Sequence, residues 1–574
     1  MKKSFIFFLL LTCIVLHAQN LDSLYNTYVN NRMGTRINIK LDGISSVIDK
    51  PQKCGFGVAN ELKQNLHRLT TEQQVVLQKL LDRPSTDTSI TSPKGYFRIH
   101  FDKSNLPDYI PEDVRKNLSS EQLEVYKRIY LDSVAIAADS VYNYEINILK
   151  YPQPPSDGTA GGDDKYDIYI VSMPGFYGET LGDESIGQFL YTSYARIDDT
   201  FASTNTKRYN GARVTIAHEF HHAIQMGSYG LKKNNNNNLL DVFYHEITST
   251  SMEEFVFDEI NDYYFYMNHF FNNPAKSFSK FANRNYDGYD LAIWNLFMKS
   301  RFDIDIIKRV WELMKGDRAM NAIANAINER GSSFKKEFSH FALWMYFTGS
   351  RAVPGKYFEE AVNYPLVKPI MTSTFLKPET SFDHSSLPLS INIFAFDDNE
   401  GGQENSFISL IDNCDISSSI DNPNSTNTFK YRLSNQSSSG FKKIIDGYYS
   451  KLESTSDFVF TESNIFNNTP VDNGVVTSED IEYPFPQPLK LSQHENISLP
   501  AHQNASGKAD VYIYSIDMDL IYSGVHNIYS MDKTVVQWNC KDNSGNGLAS
   551  GVYFYFVKSG DNIKKGKFVI IDGI

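Results

Sequence analysis

A chain that carries His218-Glu219-Phe220-His221-His222 amid apolar neighbours has few folds open to it. The five residues fit H-E-x-x-H. On a helix, residues four apart share a face, so the imidazoles of His218 and His222 can converge on one ion. Val214, Ile216, Ala217, Phe220, Ala223, Ile224 and Met226 wrap that helix in apolar side chains and predict its burial. Two imidazoles and a carboxyl inside such a helix are costly unless paired or bound to metal. The bland alternative is a buried helix whose histidines only satisfy backbone or carboxylate groups. It must meet that cost three times within five residues. Neutral imidazole is a good zinc ligand, and two of them leave room for a third ligand and a water. Zinc lowers the pKa of such a water from about 15.7 to roughly 7, and Glu219 is placed to take its proton. The expectation is therefore hydrolysis by a zinc-activated water with Glu219 as general base.

Two histidines do not close a site. The metzincin pattern asks for Gly three residues after the second His and a third His three further on. Gln225 and Ser228 occupy those places, so that arrangement is excluded. An acid on the following helix is the alternative. Asp241, Glu246, Glu253 and Glu254 all lie on or near the next predicted helix, Asp241 to Asn268. Tyr289 is a candidate oxyanion donor.

Residues 243–253 read Phe-Tyr-His-Glu-Ile-Thr-Ser-Thr-Ser-Met-Glu. This stretch resembles the Glu-Gly-Thr-Ala-Thr-Trp-Met-Glu segment of a family of secreted bacterial gluzincin-like proteins. More distantly it is similar to the Asn-Glu-Gly-Phe-Ala stretch of aminopeptidase N-like enzymes. Tyr151-Pro152 through Tyr169, Asn261-Asp262-Tyr263-Tyr264, and Gly288-Tyr289 leading into Ala292 and Trp294 extend the likeness over roughly residues 50 to 315. The resemblance implies an α+β zincin domain of the gluzincin type acting on a protein or peptide substrate. It implies Glu246 as the third zinc ligand and Glu253 as an acid that orients a ligand histidine. Ile247 stands where the family has Gly, and Ser251 where it has Trp. Asp241 sits at the His222 spacing at which aminopeptidase N-like enzymes place their Glu.

The ends of the chain predict its destination. Lys2 and Lys3, an apolar run from Phe5 to Leu16, and His17-Ala18-Gln19 have the layout of a signal peptide over residues 1–18. That run falls short of the about 20 apolar residues a bilayer anchor needs, and no later segment approaches them. A net charge of −13 without a basic cluster excludes nucleic acid as a natural partner. Cys54, Cys414 and Cys540 lie far apart, which allows one disulfide but excludes a disulfide scaffold and a Cys-rich metal site.

Between these ends the chain reads as multidomain. Residues 19–92 form an N-terminal or pro-like region with a helical pattern from Ala59 to Arg83, and a polar linker follows at Pro84 to Pro93. The zinc domain is expected over 93–384. It has strands at Gly95 to Phe101, Asp167 to Ser172 and Ser193 to Ile197, and helices at Ser119 to Tyr151, Tyr289 to Arg301 and Ile304 to Met314. Asp157, Asp163, Asp164 and Asp167 near four glycines offer oxygen ligands for Ca²⁺, but their spacing fits no EF-hand loop and turn chemistry explains them better. Short alternating runs at Ser390 to Phe396, Ser406 to Ile411 and Phe429 to Leu433 predict an all-β sandwich over 385–482.

Residues 483–574 predict a small immunoglobulin-like β-sandwich. Tyr483-Pro484-Phe485-Pro486-Gln487-Pro488, Val511 to Tyr514, Trp538 to Asp542, Gly545, Ser550 to Tyr553 and Lys564 to Ile570 carry the pattern. They resemble the C-terminal sorting domain of type IX secretion cargo. That resemblance implies the type IX machinery as a partner and a secreted or cell-surface location in a Gram-negative bacterium.

Overall fold

The computed structural model describes residues 21–34, 52–105, 115–279, 288–374 and 379–397, and, with gaps, 407–460 and 484–571. They fall into two compact units, Met1–Ser463 and Asn464–Ile574. The expected leader over 1–18 and the polar stretch from Thr461 to Asp480 lie outside the described residues.

The first unit is built on a six-stranded sheet of β1 (Gln52–Cys54), β2 (Thr88–Thr91), β3 (Phe97–Phe101), β4 (Tyr166–Val171), β5 (Phe176–Gly187) and β6 (Leu190–Asp198). Their order is β1-β5-β6-β4-β3-β2. Strands β3, β4 and β6 run parallel, β5 is antiparallel to β6, and β1 lies parallel to β5 at one edge. Ile168, Tyr169 and Ile170 of β4 are all buried, as befits a central strand covered on both faces.

Strand β5 has no apolar alternation to announce it, because its glycines serve packing. A Cβ on Gly178 would stand 2.6 Å from Thr215 Cγ2 and 3.0 Å from Glu219 Cγ. The missing side chain lets the helix of the H-E-x-x-H motif settle onto the sheet.

Residues 19–92 do not stand apart from this sheet. They supply β1 and β2, and Leu24, Tyr28, Leu62 and Leu77 share one core with Tyr169, Phe176, Leu181 and Tyr194. The helix expected from Ala59 to Arg83 is two, α1 (Phe56–Gln64) and α2 (Thr71–Leu81). Thr70 and Gln73 form a reciprocal capping box that starts α2 afresh. Ser119 and Gln122 cap α3 (Ser120–Tyr142) in the same way.

Helix α4 (Arg208–Ile224) carries the motif and lies across β5 and β6. The expected Asp241–Asn268 helix is also two, α5 (Val242–Val256) and α6 (Tyr264–Asn272). Helices α7 (Ala292–Arg301), α8 (Asp305–Met314), α9 (Ala319–Glu329) and α10 (Phe334–Tyr346) follow, the last two without a sequence expectation behind them.

Strands β7 (Met371–Thr374), β8 (Glu379–Ser386), β9 (Ser390–Asp397), β10 (Phe407–Asn413), β11 (Asn427–Ser434), β12 (Asp446–Lys451) and β13 (Val459–Phe460) form sheets of four and three. The sheets face each other through Phe382, whose ring lies 4.9 Å from that of Phe394 and 5.6 Å from that of Phe396. This β-region begins at Met371, ahead of the expected boundary at 385.

The second unit holds β14 (Ile497–Pro500), β15 (Lys508–Tyr514), β16 (Leu520–Ser530), β17 (Thr534–Trp538), β18 (Gly551–Ser559) and β19 (Asn562–Ile570). Strand β16 pairs with β15 over its first part and with β17 over its last. Ile513, Val536, Trp538, Tyr555 and Phe568 fill its core. No helix among the described residues is long and apolar enough to cross a membrane.

Deleting residues 19–92 removes two strands and one side of a core, so the remaining chain is expected to lose the cooperative thermal transition of the first unit. A truncated chain that melts like the full one, by circular dichroism, would show the segment to be detachable.

Candidate metal centre

His218 and His222 lie one turn apart on α4 and are wholly buried. Glu246, from the second turn of the adjoining α5, is 2% exposed. The two Nε2 atoms stand 3.2 Å apart, and Glu246 Oε2 lies 3.2 Å from that of His218 and 3.5 Å from that of His222.

The outer partners decide which nitrogens carry protons. Gln225 Nε2 donates to the backbone oxygen of His245 at 3.1 Å and to Ser249 Oγ at 3.2 Å, so the Gln225 Oε1 turned to His222 Nδ1 at 2.7 Å must accept. Glu253 Oε2 accepts from Lys53 Nζ at 2.8 Å, and its Oε1 lies 2.8 Å from His218 Nδ1. Both Nδ1 atoms are therefore donors. Burial pushes both imidazoles down to about 3, so both are neutral and each Nε2 presents a bare lone pair.

Two bare imidazole nitrogens and a carboxyl oxygen thus meet, and Glu246 Oε2 has no hydrogen-bond donor, while burial raises the Glu246 carboxyl. Such an arrangement repels itself unless a cation sits at its centre. Zinc bonds of about 2.0–2.1 Å in tetrahedral geometry place ligand atoms about 3.4 Å apart. The donor set and its spacing fit that ion. Here His218, His222 and Glu246 would hold it, and Glu253 and Gln225 would orient the two histidines.

Glu219 sits beside this point. Thr180 Oγ1 donates to Glu219 Oε2 at 2.8 Å, while Oε1 is buried and unpartnered. Burial raises the Glu219 carboxyl well above the usual range. Tyr289 is buried too, with its ring 6.0 Å from that of His218. Its hydroxyl donates to the Cys54 backbone oxygen at 3.4 Å, so in this arrangement its one proton is committed to the backbone.

The other acids lie elsewhere. Arg318 forks onto Asp241 at 2.8 and 2.9 Å, outside the histidine cluster. Glu254 is pushed up to about 9 by burial and by Glu360 and Asp258, away from the histidines. His221 turns to Glu145 at 2.8 Å and takes no part in the cluster. In the acidic turn Arg83 pairs with Asp157, Asp167 and Asp183, and Arg98 and Lys165 pair with Asp163, while Asp157 Oδ1 is buried without a hydrogen-bond partner.

Several site residues were not anticipated. Cys54 is free, buried and grouped with His218, His222 and Glu246, their ligand atoms lying within 4.8 Å of one another. Phe56 stacks on the His222 ring at 3.8 Å, and Lys53 bridges Glu253 and Asp262. Lys53 is 200 positions from Glu253, and no local pattern links them.

No family model matches the chain, and no curated protein is similar to it. Among solved structures it is similar to PorZ, a surface component of the type IX secretion system of Porphyromonas gingivalis. The identity is 24% over 19% of this chain and 14% of that one, with a TM-score of 0.13. It is also similar to dimeric latent PorU of the same organism, at 11% identity over 35% of this chain and 19% of that one, again with a TM-score of 0.13. Likenesses so partial assign neither a fold nor an activity.

Glu253→Ala frees His218 from its orienting carboxylate and is expected to weaken zinc binding about 10- to 100-fold. Asp241→Asn, remote from the histidines, is expected to leave it unchanged. Competition with a chromogenic chelator measures both, and equal losses would remove the distinction drawn here.

Proposed function

We propose that the chain is a zinc-dependent hydrolase of peptide bonds, with His218, His222 and Glu246 as ligands and Glu219 as general base. The observation that carries this reading is the convergence of two bare imidazole nitrogens and a carboxyl oxygen, all buried, beside a carboxylate with one free oxygen. Zinc, when bound, supplies a Lewis acid for the scissile carbonyl and a water acidic enough to ionise near neutral pH.

The chain's own residues do the rest. Thr180 holds one oxygen of Glu219 and leaves the other to accept the water's proton and pass it to the leaving amine. Glu253, fixed by Lys53, and Gln225, fixed by the His245 carbonyl, keep the imidazole protons outward so that Nε2 stays available. The peptide bond as target rests on the likeness of residues 243–253 to gluzincin-like proteins, and the same site chemistry can hydrolyse a non-peptide bond. For residues 483–574 the reading is a type IX sorting domain, and for the whole chain a place outside the cell. The resemblance of Trp538 to Asp542 and Lys564 to Ile570 supports both.

A non-catalytic surface binding protein on the same scaffold is the second reading. One observation favours it: Cys54 offers a fourth protein group to the ion, and closed four-ligand zinc sites are typically structural.

Zinc content and peptide cleavage test the enzyme reading. Glu219→Ala is expected to keep its zinc and lose about 100- to 10,000-fold in cleavage rate. Glu246→Ala is expected to lose most of its zinc. Full cleavage by Glu219→Ala would overturn the proposal.

A further inference from the structure

We infer that Cys54 is the fourth ligand of the zinc centre and that residues 52–56 are a built-in plug holding the site latent. The inference rests on the zinc reading above and adds the regulation of that site. Three independent features carry it.

The first is position. The water of a zinc hydrolase must touch both the ion and the base. The Cys54 thiol stands where that water would meet the ion, since it belongs to the ligand cluster. Glu246 Oε2 and Glu219 Oε1 are both buried and without a hydrogen-bond donor. On binding a divalent ion the thiol gives up its proton to solvent, and thiolate plus carboxylate neutralise the ion's two charges. A neutral complex suits a site into which no water reaches: His218 and His222 are 0% exposed and Cys54 is 5% exposed.

The second feature is the backbone. Strand β1 occupies the free edge of β5, with Gln52 N donating to Gly175 O at 2.8 Å and Gly55 N to Gly178 O at 3.0 Å. An extended peptide adding to a sheet edge makes bonds of this kind. Backbone pairing of this kind holds Cys54 at the ion's open position.

The third feature is the cover. Cys54, Phe56, Tyr266 and Tyr289 form one apolar cluster over the ligands, and Phe56 lies flat on His222 with an interplanar angle of 4°. Phe56 N also donates to Cys54 Sγ at 3.2 Å, which aims the sulfur. Catalysis needs an open position on the ion, so the Cys54 thiol must leave the ion before a substrate can react there.

The test uses the full chain loaded with Co²⁺ in place of Zn²⁺ and, in parallel, the zinc protein. The cobalt protein is expected to show a thiolate-to-cobalt charge-transfer absorption, which Cys54→Ser abolishes while one ion remains bound. With zinc, Cys54→Ser and Cys54→Ala are expected to cleave a peptide library roughly tenfold or more faster than the unaltered chain, because an open position returns. A cobalt protein that binds its ion without the sulfur band overturns the inference and leaves the zinc reading standing. So does a band accompanied by equal cleavage in all three proteins, which would make the thiolate an ordinary ligand. A chain that binds neither ion overturns the zinc reading itself, and this inference with it. Should both variants fail to fold, the spectrum of the unaltered chain decides, since it needs no substitution.

Discussion

Mutual repulsion among three lone pairs is the constraint around which the first unit is arranged. His218 Nε2, His222 Nε2 and Glu246 Oε2 face one another at 3.2 to 3.5 Å, and each would be more stable with a proton between them. The surrounding structure denies them one. Gln225 can only accept from His222, because its amide nitrogen is committed to the His245 carbonyl and Ser249. Glu253 turns its Oε1 to His218 Nδ1 at 2.8 Å while Lys53 holds its second oxygen, although burial raises the Glu253 carboxyl well above the usual range. Burial then prevents a second proton from joining either ring. An arrangement this costly is understandable as the receptor for a cation.

The same economy of charge runs through the sheet beneath it. Lys53 is fully buried and stable because Glu253 and Asp262 flank it, with the Tyr177 ring 4.5 Å from its ammonium. Glu179 of β5 is met by Arg196 at 2.7 Å and Arg32 at 3.2 Å. These buried pairs gain little net stability, yet removing one partner strands a charge in an apolar core. They therefore fix register: β1 and β5 can pair only where each charge finds its partner. Glycine completes the fit, with Gly178 letting α4 close on β5 and Gly288 at φ +98 passing a would-be 2.6 Å from Glu246 Cβ.

This register is also why the N-terminal segment cannot be read as an appendage. Composition and a polar linker suggested a detachable unit ending near residue 92. Yet Lys53 pairs with Glu253, Cys54 joins the His218, His222 and Glu246 cluster, and Phe56 stacks on His222. A segment can be dispensable for the chemistry of a site and still be part of its structure, and Cys54 makes that relation open to experiment.

Much was legible along the chain. The i, i+4 spacing puts His218 and His222 on one face whatever the tertiary fold, and alternation marked Ser390 to Phe396 and Val511 to Tyr514 because one strand face is buried. Glu246 was legible only through resemblance, since Asp241, Glu253 and Glu254 stood equally near. What failed had physical causes. Strand β5 went unread because its glycines serve close packing rather than alternation, and the capping box at Thr70 broke a periodicity that reads as one helix. Local sequence thus determined the shared face of the two histidines, the glutamate between them and the β-character of the C-terminal half. Only the tertiary structure decided that Glu246 rather than Asp241 meets the histidines, that Cys54 does too, and that Lys53 reaches Glu253 behind His218. Those encounters depend on how helices and strands distant in sequence pack, and no periodicity within a single element encodes them.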